Sequence, residues 1–127
     1  VTEPVRLRLS RRAGFDLQTA SLAANGLPCR VVSRPTRYGN PFVVRRSPTG
    51  LWEVRRGASL VDHDFEDRSA AARNAVKRFR RLLSEDGVRR KAAGELSGFN
   101  LACWCELGEP CHADVLLEFA NADESGA

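Results

Sequence analysis

Residues 67–84 carry the most restrictive pattern in the chain. Ala72, Ala75, Val76, Phe79, Leu82 and Leu83 recur at helical spacing, and Arg73, Lys77, Arg78, Arg80 and Arg81 fill the remaining positions. Acids stand before this segment and cations fill its last turns, as the helix dipole favours. A helix this long and this one-sided must lay its apolar stripe on another layer. The neighbouring segments supply that layer. Cys29–Ser33 is a short β-branched run before it, and Phe99–Trp104 reads as a strand after it. From Cys111 or His112 the pattern turns helical again, with Val115, Leu116 and Phe119 on one face. This rhythm of strand, helix, strand, short loop and helix predicts an α/β domain: a small single-domain mixed sheet flanked by helices, in the manner of a Rossmann-like layer.

The rest of the chain is punctuated more often. Val5, Leu7 and Leu9 alternate with Arg6, Arg8 and Ser10, the period of a half-buried strand with an arginine face. Residues 16–24 allow a short helix or an irregular excursion, closed by Asn25-Gly26 and Pro28. Val43–Arg46 and Leu51–Arg56 flank Ser47-Pro48-Thr49-Gly50 and suggest a hairpin. Residues 57–67 read as a polar, acidic connection, and Val88–Leu96 as a second short helix. One domain over residues 1–121 is expected, followed by a flexible tail at 122–127.

With 127 residues, 43% of them hydrophobic, the chain builds a core without needing a disulfide framework or a metal, so its four cysteines ask for their own explanation. No apolar run approaches the ~20 residues of a membrane span. The first ten residues lack the pattern of a secretory signal, which makes a cytoplasmic location the expectation and reduced thiols with it. Three of the four cysteines crowd into Cys103-Trp104-Cys105-Glu106-Leu107-Gly108-Glu109-Pro110-Cys111-His112. Three readings of this segment stand together. Cys103, Cys105, Cys111 and His112 form a sulfur and nitrogen donor set of the kind zinc takes, although the spacing is unlike the usual paired cysteines. Alternatively, Cys103 and Cys111 are reactive thiols, Cys111 standing at a helix start that favours a thiolate, with His112 or Asp114 carrying a proton. A purely architectural role, with the thiols as small buried apolar groups and His112 as a cap, has equal standing.

A second segment, Arg34-Pro35-Thr36-Arg37-Tyr38-Gly39-Asn40-Pro41-Phe42, excludes regular structure, because its two prolines remove donors and push Arg34 and Asn40 out of helical geometry. Arg34, Thr36, Arg37 and Asn40 on such a fixed loop suit a phosphate or carboxylate, with Gly39 admitting close backbone approach. A structural turn, with Asn40 satisfying local backbone and Phe42 entering the core, is the plainer reading. Charge adds context. Net charge is +4, but residues 1–60 balance to +8 and residues 61–127 to −4.

These motifs resemble those of the family of domain of unknown function 4326, bacterial and phage proteins. The likeness runs through Pro4-Val5-Arg6-Leu7, Arg11, Arg12 and Gly14, the loop Arg34–Phe42, and Leu101–Cys105 with Pro110–Glu118 and Asn121. Phe15 and Tyr38 stand where members often carry tryptophan, Ala113 where many carry glycine, and the stretch Ser47–Asp67 is longer than usual. The short cysteine-to-Cys-His segment is also similar to that of domain of unknown function 488. The resemblance implies a shared α/β core and no particular reaction.

Since ligands of open α/β sheets bind outside the carboxyl ends of strands, both signature loops are expected to line one pocket. The reading is a pocket for a nucleotide or other phosphate-bearing ligand, with a nucleotide- or base-processing enzyme as its catalytic version. The alternative is a non-catalytic, zinc-stabilised module that binds nucleic acid. No membrane partner is expected under either.

Overall fold

A computed structural model describes residues 2–122; residues 123–127, nearly all of the expected flexible tail, lie outside the described residues. In chain order the elements are β1 (Arg6–Arg8), α1 (Leu17–Asn25), β2 (Cys29–Val31), β3 (Phe42–Arg46), β4 (Trp52–Arg56), β5 (Ser59–Phe65), α2 (Arg68–Glu85), α3 (Gly87–Gly94), β6 (Asn100–Cys103) and α4 (His112–Ala120). The protein is a small α/β domain. Its strands divide between two three-stranded sheets, where the sequence suggested one mixed sheet: a parallel sheet in the order β1-β6-β2 and an antiparallel one in the order β3-β4-β5.

The parallel sheet places β6 between β1 and β2, with Arg8 opposite Cys103 and Val31 opposite Ala102. All four residues of β6 are buried, as befits the centre of a covered parallel sheet. Asn100 locks its entry. The buried Asn100 side chain accepts from the Val5 amide at 2.9 Å and donates to Ser21 Oγ at 2.8 Å, tying β1 and α1 to the same residue. Satisfying a buried amide this fully fixes strand register as well as stability.

Helix α2 joins the two sheets. Asp67 caps it, its carboxylate accepting from the Ala70 amide at 2.8 Å. Ala71 and Ala75, small enough for close approach, pack on Phe42, Val44, Trp52, Val54, Val61 and Phe65 of the antiparallel sheet. One and two turns further on, Phe79 and Leu83 enter the main core with Val32, Leu96, Leu101, Val115 and Leu116. The buried stripe thus runs Ala71, Ala75, Phe79, Leu83, while Ala72 and Val76 sit at its edge.

Residues 57–67, expected to be a connection, instead contain β5, which pairs antiparallel with β4. Two features hide it in the sequence. Asp64 takes a left-handed φ of 65°, and the register with β4 shifts on both sides of Val54, so the alternation is broken. β5 is also an edge strand, where polar residues are tolerated because one side has no partner.

Candidate functional site

The carboxyl end of β6 delivers Cys103 into the core, the loop 104–110 crosses the end of the parallel sheet, and Cys111 starts α4. Cys103 and Cys111 are each 2% exposed and His112 8%. Their donor atoms gather: Cys103 Sγ lies 2.8 Å from Cys111 Sγ, too long for the ~2.05 Å of a disulfide, and His112 Nδ1 lies 3.9 Å from Cys111 Sγ. One ligand atom from each of the three falls within 4.8 Å of the others, so these residues could hold a metal ion. All four cysteines are free thiols.

His112 is oriented from behind. Its Nε2 lies 2.8 Å from the Val32 carbonyl at the exit of β2, and a carbonyl only accepts, so Nε2 carries the proton and donates. In the neutral imidazole Nδ1 then keeps its lone pair, on the side of the thiols. Phe79 sets its edge against the ring at a 5.3 Å centroid separation and an 87° interplanar angle, which fixes the plane. The sharp turn needed for Cys111 and His112 to converge is supplied by the helix start: Cys111 is extended, with φ −148°, and His112 is the first helical residue.

Cys105 is half-buried beside this set. Its thiol interacts with those of Cys103 and Cys111, which hold it well below the usual thiol range, with help from the positive charges of Arg6 and Arg68. Cys103 moves the opposite way, raised by donating to its two neighbours and by burial. The backbone amide of Cys105 also donates to Cys103 Sγ at 3.3 Å.

Arg6 is the residue that sequence reasoning missed. It belongs to the arginine face of a strand expected to be half-buried, and its side chain is only 8% exposed. It donates to the carbonyls of Leu107 and Glu109 at 2.6 and 3.0 Å, holding the cysteine loop from beneath, and pairs through Nε with Asp114 at 3.2 Å. Its Nη1 is buried without a hydrogen-bond partner, and the guanidinium lies beside Cys111. The signal in the sequence was the family likeness, which includes Pro4-Val5-Arg6-Leu7; the alternation of the strand does not show that a distant loop covers Arg6. On the other side, Ser69 donates to the Glu109 carboxylate at 2.7 Å, tying the same loop to the start of α2.

The two signature loops meet across a cavity of about 230 Å³. Arg34, Asn40 and Phe42 from one loop and Cys103, Trp104, Cys105, Cys111 and His112 from the other line it, with Arg68, Ala72 and Val76 of α2 as a wall. Not every candidate faces it. Arg37 is directed to Glu95 in an ion pair and to the Tyr38 hydroxyl, and Thr36 Oγ1 donates to the Ser33 carbonyl at 2.7 Å. A Cβ at Gly39 would come within 2.9 Å of Arg34 Cγ, so this glycine admits the loop's own arginine rather than a ligand. Asn40 is buried and structural in its contacts: it donates to the Ala75 carbonyl and accepts from the Phe42 amide. Arg34 donates to the Asn40 carbonyl at 2.7 Å, closing the loop on itself. Asp114 is half-exposed on the Arg6 side and does not line the cavity; burial raises its carboxyl above the ordinary range against the pull of Arg6.

Fold and site together define a small α/β protein with a buried thiol–imidazole centre beneath an arginine-bordered cavity. The chain belongs to the family described as Domain of unknown function (DUF4326), whose model matches residues 24–122. No curated protein and no solved structure matches it. No helix of the described residues is long and apolar enough to cross a membrane.

Proposed function

We propose that the protein is a zinc protein in which Cys103, Cys111 and His112, completed by Cys105, hold the metal at the floor of the cavity, and that Arg34 and Arg68 receive a phosphate-bearing ligand above it. The observation that carries this reading is the posture of His112. A metal-ligating histidine typically donates its second ring nitrogen to a carbonyl or carboxylate, which fixes the tautomer and aims the free lone pair. Nε2 on the Val32 carbonyl, with Nδ1 turned to two buried thiols, is that arrangement. Thiolate and imidazole are the donors zinc prefers; bound zinc would offset most of the charge of the thiolates, and Arg34 and Arg68 at the cavity wall supply the positive charge an anion needs.

The cavity's size and the state of the surface favour a small ligand over a nucleic-acid face. Three of the outer arginines of α2 are engaged: Arg78 with Asp62, Arg80 with Glu118 and Arg81 with Glu85. They form an ion-paired surface more than an open footprint for phosphates.

Cobalt substitution tests the metal reading. Apo protein titrated with Co²⁺ is expected to develop intense thiolate-to-metal absorption that Cys111→Ser reduces and zinc displaces. A titration giving only the weak spectrum of hydrated cobalt would overturn the reading. It would leave the thiol-site reading, supported by Cys111 Sγ lying 3.9 Å from His112 Nδ1, which predicts rapid alkylation of the metal-free protein.

A further inference from the structure

We infer that the ligand is a nucleotide whose base stacks on Trp104; the inference rests on the phosphate-binding reading of the same cavity. Trp104 stands between two cysteines of the centre, and while Cys103 is buried the indole is 41% exposed and lines the cavity. Tryptophan buries more apolar surface than almost any residue when it packs inside, so a large exposed indole at a cavity wall leaves area for a ligand to cover. The ring is not loose. The guanidinium of Arg11 lies 4.1 Å from its centroid, a cation–π contact that occupies one face and steadies the plane.

Two kinds of recognition therefore border one space. Arg34 and Arg68 offer positive charge, and Trp104 offers an aromatic face. Inorganic phosphate or a sugar phosphate satisfies the first and leaves the indole bare. A nucleotide satisfies both, because every base has a π-face that stacks on an aromatic side chain. Size narrows the class. At about 230 Å³ the cavity falls below the ~300–1,000 Å³ of sites for drug-sized ligands. The enclosed space is therefore too small for a dinucleotide, and a single nucleotide would lie partly in the open mouth.

Calorimetry with the zinc-loaded full chain separates the possibilities, using adenosine 5′-monophosphate, ribose 5-phosphate and inorganic phosphate as probes. The nucleotide is expected to bind about fivefold or more tighter than ribose 5-phosphate, the ratio that base–aromatic stacking supports. Trp104→Ala should erase that ratio while leaving phosphate binding unchanged, and Trp104→Phe should keep most of it. Equal affinities for the nucleotide and ribose 5-phosphate, or a ratio untouched by Trp104→Ala, would overturn the inference and leave the phosphate reading standing. Failure of all three probes to bind would sink the phosphate reading and this inference with it.

Discussion

Arg34 and Arg37 differ by three positions and by their whole environment. Arg34 borders the cavity, whereas Arg37 is spent on Glu95 and Tyr38. Arg34→Ala is therefore expected to weaken phosphate binding several-fold, while Arg37→Ala leaves both binding and melting temperature nearly unchanged; calorimetry and a thermal melt on the two variants check this. Arg6 makes the opposite kind of contribution. Arg6→Met strips two loop carbonyls of a charged donor and should cost about 1–3 kcal/mol in urea unfolding, because hydrogen bonds to charged groups are the stronger ones. A loss within error of zero would mean that the loop 104–110 holds its shape without β1. Neither distinction was visible in the one-dimensional pattern, since nothing in the alternation Val5-Arg6-Leu7 says which arginine is covered by a loop a hundred positions away.

Elements with a strong local period or a clear turn signal were legible, the hairpin expected at Val43–Arg46 and Leu51–Arg56 lying at Phe42–Arg46 and Trp52–Arg56, whereas β5 was not. The helix expected at 67–84 lies at Arg68–Glu85, because its apolar stripe, its Asp67 cap and its tertiary burial all agree. The strand and helix around the cysteines lie at Asn100–Cys103 and His112–Ala120, where apolar pattern and burial agree. β5 was lost because its pairing with β4 stabilises a run that local preference disfavours. Replacing Asp67 by Ala removes the acceptor for the Ala70 amide at 2.8 Å and should destabilise the protein by about 1 kcal/mol, measured by chemical denaturation. No measurable change would show that α2 is held by its packing alone.

At the scale of the molecule, α2 bridges two sheets and walls the cavity in which the two signature loops meet. That the loops converge was an expectation from topology; which of their side chains reach the cavity depended on contacts inside each loop. Capping and ion-paired carboxylates set the acid stability. Asp16, Asp62 and Glu118 are held below the ordinary carboxylate range: Asp16 by the Thr19 amide of its cap, Asp62 by the His63 amide and then Arg78, and Glu118 by Arg80. Groups lowered in this way contribute fully above the unfolded carboxylate pKa of about 4 and lose that contribution as pH falls through their lower folded values. Asp114, raised by burial, works in the opposite sense. In the metal-free protein, where no zinc release is linked to ligand protonation, stability is thus expected to be level from neutral pH to about 5 and to decline below about 4. A melting temperature unchanged down to pH 3 would contradict this.

The proposed zinc centre is the feature on which the site's other roles depend. Elemental analysis of protein expressed with zinc in the medium and purified without chelator is the most direct test, with Cys111→Ser and His112→Ala prepared alongside. About one zinc per chain is expected in the parent, resisting dialysis, and a clear loss in both variants, as a site using the ligands zinc prefers requires. A parent chain that is folded, zinc-free and indistinguishable in metal content from the two variants would contradict it.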